Sequence, residues 1–284
     1  MKNGFVFTPL FFDRHATDWQ FIWPSIVIFV AFCLAASGIY CFNDIHDAAA
    51  DRQHPLKRMR PVASGAIGKG TAYTIMAVLW IAVFALLALC RFDHADTKLN
   101  LCMVLLFYVI MNIAYCVKLK EIAILDVIII AIGFVLRIVA GGVATGIFLS
   151  HWIILTTFLL ALFLALAKRR DDIVIYQQSE GEVKPRKNVD RYNLNFLDQA
   201  ITIMGSVTIV CYILYTVSEE VVERIGSPYL YVTSLFVLTG ILRYMQLTFV
   251  DKKSGSPTKV LIADHIIQAC VVCWIAAFVI ILYL

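Results

Sequence analysis

Asn43, Asp47 and Asp51 stand at i, i+4 and i+8. On a helix that spacing stacks them along one face, with their oxygens converging on a common volume. Hard oxygen ligands that leave water in the shell suit Mg²⁺, which is commonly held by one or two carboxylates together with a substrate's phosphates. Asp44 adjoins this face, and five basic or potentially basic residues follow: Arg52, His54, Lys57, Arg58 and Arg60. Acid followed by base reads as a metal site beside a phosphoryl clamp, because cations offset the negative charge that remains on a diphosphate. Asn43, Asp47 and Asp51 are therefore the candidate metal ligands, and Asn43, Asp44, Lys57, Arg58 and Arg60 the candidate substrate contacts. The competing explanation is a solvated helix end whose acids pair with the basic loop. Acids in register ahead of five basic groups argue for a site.

The elements that must carry this cluster are membrane helices. With 61% hydrophobic and 15% charged residues and a mean hydropathy of +0.82, the chain is far more apolar than a soluble domain. A span needs roughly 20 mostly apolar residues, and that criterion selects the stretches 18–42, 72–91, 99–117, 121–142, 150–168, 199–218, 228–250 and 260–284. A single all-α integral membrane domain over 1–284 accounts for the whole chain. The apolar run from Phe5 to Phe12 is too short to span and lacks the pattern of a signal peptide. It is expected to be half of an additional, tilted or re-entrant N-terminal helix. After the first span, Pro61 and Gly65 should break the chain before the next one starts near Thr71.

Lys and Arg are concentrated in two connections. Segment 43–71 holds Arg52, Lys57, Arg58, Arg60 and Lys69, and segment 169–198 holds Arg169, Arg170, Lys184, Arg186, Lys187 and Arg191. The intervening connections carry fewer: Arg91 and Lys98 in one, none in 143–149, and Arg224 in 219–227. Positive charge marks the cytoplasmic side, so both polar segments are expected in the cytoplasm, with the chain in the plasma membrane. The formal charge of +4 fits orientation and anionic headgroups, and nothing points to nucleic acid. The eight cysteines form no metal-ligand grouping, and Cys270 and Cys273 are expected to be small packing residues on one helix face.

Two further charges lie inside an apolar helix, where each costs about 2.5 to 3.5 kcal/mol on insertion scales. Asp126 and Arg137 are eleven residues apart, about three helical turns, so they share a face without pairing and are expected to border a cavity. Gly141 and Gly142 beyond them permit close helix contact or a bend, packing being the simpler explanation. A second polar stretch opens with Lys168-Arg169-Arg170-Asp171-Asp172 at the end of a span and closes with Asp190-Arg191-Tyr192-Asn193-Leu194-Asn195. Two charged segments on one side, three spans apart, suggest two halves of a bundle that each offer a cluster to one cavity.

These residues give the chain its resemblance to the UbiA superfamily of intramembrane polyprenyltransferases, whose first signature is an Asn-x-x-x-Asp-x-x-x-Asp helix end, here Asn43, Asp47 and Asp51. The longer run from Asn43-Asp44 through Asp51-Arg52-Gln53-His54-Pro55 and Lys57-Arg58-Met59-Arg60-Pro61 to Ala63-Ser64-Gly65 resembles the decaprenyl-phosphate phosphoribosyltransferase branch. Leu119-Lys120 with Asp126, the run from Val135 to Thr145, and Ala167-Lys168-Arg169 with Asp172 are similar to that branch too. The resemblance implies a bundle of about nine transmembrane helices around a central cavity. It also implies Mg²⁺-dependent transfer of the 5-phosphoribosyl group of phosphoribosyl diphosphate to a polyprenyl phosphate, with release of diphosphate. A homo-oligomer is compatible with it. The branch begins with a basic, proline-containing segment, whereas this chain opens at Lys2-Asn3, which leaves a partial first helix or a misplaced start. The branch also tends to have Glu where Asp172 stands, and less charged residues at Arg170-Asp171.

Phosphoribosyl transfer and prenyl transfer both require diphosphate to leave a carbon that becomes cation-like, and Mg²⁺ held by Asp47 and Asp51 would assist that departure. An aromatic acceptor must also lose a ring proton and so wants a general base, whereas a polyprenyl phosphate is already an anion. It needs cations, and Lys57, Arg58, Arg60, Arg137, Lys168, Arg169 and Arg170 supply more than one diphosphate requires. The candidate catalytic residues are Asp47, Asp51 and Lys168, with Arg137, Arg169 and Asp172 added to the substrate contacts. Lys118 and Lys120 are read as topogenic charge, and His54 as capping a turn before Pro55. A prenyltransferase acting on an aromatic acid is the alternative enzyme, and a transporter with intramembrane charges the alternative class.

Overall fold

The computed structural model describes residues 2–13, 17–53, 57–90, 92, 96–178, 188–251 and 257–283. Among them the ordered elements are helices, with no strand, as a lipid environment demands: a helix satisfies its backbone polar groups internally. In chain order they are α1 (Thr8–Phe12), α2 (Trp19–Gln53), α3 (Lys69–Leu89), α4 (Thr97–Val117), α5 (Leu125–Thr145), α6 (His151–Gln178), α7 (Leu194–Val217), α8 (Glu219–Ile225), α9 (Ser234–Phe249), α10 (Pro257–Ala263) and α11 (His265–Tyr283). Short 3₁₀ turns precede α1 (Lys2–Phe7) and α9 (Pro228–Thr233), and others lie at Lys57–Met59, Leu119–Glu121 and Val189–Arg191. Among the described residues eight helices are long and apolar enough to cross a membrane, one for each apolar stretch of the sequence.

Two helices run well past their apolar segments. α2 continues to Gln53 and thereby carries the whole stretch from Asn43 to Asp51 in helical register. α6 continues to Gln178, so Lys168 to Asp172 sit inside a helix and not at its end. Hydropathy falls at 168, where the span is expected to end, but helical hydrogen bonding continues past it.

The chain divides into two compact units, one of residues 1–120 and 136–148 and one of 121–135 and 149–284. The continuous helix α5 thus contributes its beginning to the second unit and its end to the first. The first unit packs α2 against α3 and α4 around Ile28, Phe32, Ala35, Leu87, Leu101 and Leu105. The N-terminal 3₁₀ turn belongs to this core through Val6, which is fully buried. A methyl group at Gly141 of α5 would collide with the Val6 carbonyl, so glycine permits this close approach. The run 5–12, expected to be half of an additional tilted or re-entrant helix, forms the end of this turn and the five-residue α1. The second unit is built on α6 against α7 and α7 against α9, with Phe163, Leu166, Leu197, Ile201 and Ile241 in its core.

The turn after α2 has the break that Pro61 and Gly65 announce. Gly65 takes φ +83°, a left-handed value that glycine adopts without a Cβ clash. The Arg52 side chain donates from Nε to the Ala63 carbonyl at 3.1 Å and fastens the turn back to α2. Cys270 is half-buried but Cys273 is exposed, which corrects the expectation that both are packed.

Candidate active site

The acidic end of α2 is held by cations. Lys120, one residue into the 3₁₀ turn after α4, donates from Nζ to both carboxylate oxygens of Asp47 at 2.7 and 2.8 Å and to Asn43 Oδ1 at 3.4 Å. Arg60 donates from Nη1 to Asp51 Oδ2 at 2.9 Å and to Asp44 Oδ1 at 3.3 Å. The face therefore resolves into two bridged pairs, Asn43 with Asp47 and Asp44 with Asp51. Asp51 is 4% exposed, whereas Asn43, Asp44 and Asp47 are half-buried. His46 adds a 3.0 Å contact from Nδ1 to Asp47. Of the other basic residues of this segment, Lys57 is half-buried and Arg58 exposed on the turn between α2 and α3, while Arg52 serves that turn. His54 lies outside the described residues, as do Arg91, Lys184, Arg186 and Lys187.

Sequence reading missed Lys120. It lies 73 residues from Asp47, and no local periodicity joins them. The signal was present in Leu119-Lys120, but a lysine at a span end is so often topogenic that the contact was not expected.

Among the described residues no three His, Cys, Asp or Glu side chains are gathered as a metal cage. The oxygen set of Asn43, Asp47 and Asp51 nevertheless fits a hard cation whose remaining ligands come from water and substrate. Asp47 and Asp51 are each paired with a side-chain cation, Lys120 and Arg60.

Arg137 and Asp126, expected to border one cavity, are each enclosed by polar partners. Arg137, 6% exposed, donates from Nε to Asn3 Oδ1 at 2.9 Å and from Nη2 to the Tyr108 hydroxyl at 2.8 Å. Its guanidinium also lies over the Tyr108 and Phe32 rings at 4.9 and 5.6 Å, within cation–π range. This arrangement explains how a charge is tolerated inside an apolar helix. Asp126 is fully buried in the second unit, where Arg169 Nε approaches Oδ2 at 2.6 Å and the Tyr192 hydroxyl donates to Oδ1 at 2.6 Å.

The second cluster is split by its helix. Lys168 is exposed, whereas Arg169 and Arg170 are buried and Asp171 and Asp172 half-buried. Arg169 reaches Asp172 as well, Nη1 to Oδ2 at 3.3 Å. Arg170, grouped with the phosphoryl cations in the sequence, is a brace: Nε bonds Asp198 at 2.6 Å, Nη1 bonds the Thr248 carbonyl at 2.8 Å, and the group lies 5.3 Å from the Phe249 ring. Beside it is a cavity of about 240 Å³ lined by Val174, Gln177, Gln178 and Leu194. That is below the roughly 300 to 1,000 Å³ of ligand pockets.

A model of the UbiA prenyltransferase family matches residues 12–263. Over 255 residues the chain is 32% identical to a decaprenyl-phosphate phosphoribosyltransferase of Mycolicibacterium smegmatis, covering 88% of this chain and 77% of that protein. A protein of the same name from Corynebacterium glutamicum is 32% identical over 259 residues, 91% of this chain and 75% of that one. In fold, the chain superposes with a TM-score of 0.68 and 16% identity on a UbiA homolog from Archaeoglobus fulgidus solved with GPP and Mg²⁺, over 100% of this chain and 96% of that one. The paired acids of α2 thus occur in an integral, multi-pass membrane transferase, and the chain belongs to the UbiA prenyltransferase family.

Proposed function

We propose that the protein transfers the 5-phosphoribosyl group of phosphoribosyl diphosphate to a decaprenyl-type polyprenyl phosphate, releasing diphosphate. The observation that carries this reading is the end of α2, where Asn43, Asp44, Asp47 and Asp51 meet Lys120 and Arg60, in a chain similar over most of its length to proteins named for that reaction. An acceptor phosphate oxygen attacks the anomeric carbon, the bond from that carbon to diphosphate breaks, and diphosphate leaves. The nucleophile is an anion throughout, so no side chain has to remove a proton.

Asn43, Asp47 and Asp51 would hold Mg²⁺, which supplies Lewis-acid stabilisation of the departing diphosphate; structures of a UbiA homolog from Archaeoglobus fulgidus solved with GPP and Mg²⁺ and with Cd²⁺ support divalent metal use. Lys120 and Arg60 serve two ends: they offset the repulsion among the carboxylates, and they carry positive charge for phosphoryl oxygens. Asp44 orients Arg60, as Asp172 orients Arg169. Lys57, Arg58, Arg137, Arg169 and the catalytic candidate Lys168 are assigned to the remaining phosphoryl groups of donor and acceptor. The Lys and Arg distribution supports placing the α2 end and the 169–198 segment in the cytoplasm, with the chain in the plasma membrane.

The second reading is prenyl transfer to an aromatic acceptor, favoured by the family's description and by the relative bound to GPP. One experiment separates the two. Purified protein in Mg²⁺ is given labelled phosphoribosyl diphosphate with polyprenyl phosphate, and in parallel polyprenyl diphosphate with an aromatic acid. Label entering the lipid in the first mixture alone is the expected result; prenylation in the second alone would assign the alternative.

A further inference from the structure

Ile124 is the one non-glycine residue with positive φ among the described residues, at +70°. A β-branched side chain in the left-handed region is a real outlier, costly enough to persist only where neighbours impose it. It stands just ahead of α5, and its carbonyl accepts the first bonds of that helix, from Val127 and Ile128 at 3.2 and 3.0 Å. The neighbour that holds it is Tyr192. The Tyr192 hydroxyl accepts the Ile124 N–H at 2.6 Å and donates to Asp126 Oδ1 at 2.6 Å. One oxygen thus fixes a strained backbone residue and the carboxylate two residues later.

The chain of contacts continues into the second polar cluster. Asp126 Oδ2 receives Arg169 Nε at 2.6 Å, and Arg169 Nη1 reaches Asp172. Arg169 is 2% exposed, yet its Nη2 has no hydrogen-bond acceptor among the described residues. With two nitrogens of this buried guanidinium anchored, the third is an unsatisfied donor, which is costly and calls for an explanation. Tyr192 is itself 8% exposed. Burial, and then the bond to Asp126, push its hydroxyl above the usual tyrosine range, so it stays a proton donor across physiological pH.

We infer that Tyr192 is a positioning residue for transfer: by locking Ile124 in its left-handed conformation and pinning Asp126, it sets the direction in which Arg169 presents its third nitrogen to a phosphoryl group. This rests on the assignment of Arg169 to phosphoryl binding under the proposed function. The hydroxyl itself touches no substrate. Without it, Ile124 relaxes to negative φ, the start of α5 shifts, and the guanidinium loses its aim.

The test uses full-length protein in three forms: Tyr192→Phe, Ile124→Gly, and both together. Tyr192→Phe is expected to raise the KM for phosphoribosyl diphosphate about tenfold, the scale of one lost buried hydrogen bond, with near-parental yield and a smaller change in kcat. Glycine at 124 adopts positive φ without strain, so the double variant should recover to within about threefold of the parent. Loss of packing alone would not be rescued by a glycine. Hydrogen–deuterium exchange of the peptide spanning 119–127 should rise in Tyr192→Phe irrespective of any assay of turnover. An unchanged KM, or no recovery in the double variant, overturns the positioning role. If the parent turns over no phosphoribosyl donor, the functional reading fails on its own account, and exchange decides the clamp: a rise sustains it and parental exchange in Tyr192→Phe removes it.

Discussion

Asp47 and Asp51 each already hold a cation, so replacing either removes a charge that the site has been built around. Asp47→Ala and Asp51→Ala are expected to lose at least about a hundredfold in turnover, the scale of removing a preorganised electrostatic partner of the leaving group, while expression and membrane insertion stay near parental. Release of labelled diphosphate measures this, and turnover within a few-fold of the parent would remove the assignment. Chelation with EDTA should act in the same way, and restoring Mg²⁺ should reverse it. Lys120 offers a sharper comparison, because Lys118, two residues before it, is exposed and has the same topogenic charge. Lys120→Met should impair transfer at least about tenfold, as the loss of a charge-assisted contact implies, and Lys118→Met should leave it within about twofold; equal effects would return both to topology. Arg137→Lys is expected to be impaired as well, since a point charge cannot bond Asn3 and Tyr108 at once while lying flat on two rings.

At the level of the helix, the lengths of the apolar runs located the eight long apolar helices of the described residues, because a membrane of fixed thickness leaves few alternatives. The i, i+4, i+8 register was legible for a related reason: α2 stays helical through Gln53, so sequence spacing is spatial spacing. What was not legible depends on contacts between distant segments, as in Lys120 on Asp47, Arg170 between Asp198 and Thr248, and Tyr192 on Ile124. Such contacts leave no periodic trace. The N-terminal turn gives a test of one of them. Gly141→Val should push against the Val6 carbonyl and loosen residues 2–12, costing about 1 to 3 kcal/mol as overpacking does. Faster proteolysis near the N-terminus with a lowered Tm is the expected readout, and a parental digestion pattern would contradict the contact. A second tie joins α9 to α11. Arg243 bonds Asp264 through Nε and Nη2, down to 2.8 Å, and Asp264 also accepts the Ile267 N–H at the start of α11. Arg243 holds the Asp264 carboxyl below its ordinary value. A depressed folded pKa makes this stabilisation fully present above the unfolded value, near 3.9, and lost as pH falls through the folded one. The difference in Tm between parent and Asp264→Asn should therefore shrink as pH is lowered from 5 to 3; a constant difference would show the tie to be independent of charge.

At the scale of the whole chain, the two transfer reactions differ in how many cations they call for. A prenyl diphosphate presents one diphosphate to the protein, and Asn43, Asp47 and Asp51 with Mg²⁺, Lys120 and Arg60 would suffice for it. Phosphoribosyl diphosphate adds a phosphate at C5, and a polyprenyl phosphate adds one more. The chain has further basic groups near its polar segments, Lys57 and Arg58 after α2 and Lys168 and Arg169 on α6, of which Arg169 retains an unsatisfied donor. Subtracting Arg170, which is committed to Asp198 and Thr248, still leaves more positive charge than one diphosphate uses. If that surplus recognises the C5 phosphate, ribose 5-phosphate should compete with the donor, raising its apparent KM without changing kcat, while ribose should not compete at equal concentration. A simple prenyl diphosphate should not be consumed. Mass spectrometry of the lipid extract should show polyprenyl phosphate heavier by one phosphoribosyl unit, retained in the membrane fraction by its chain, with diphosphate in the aqueous phase. An aromatic acid bearing the prenyl chain, formed without any sugar donor and unaffected by ribose 5-phosphate, would instead mean that the surplus cations orient the protein in its membrane and take no part in recognition.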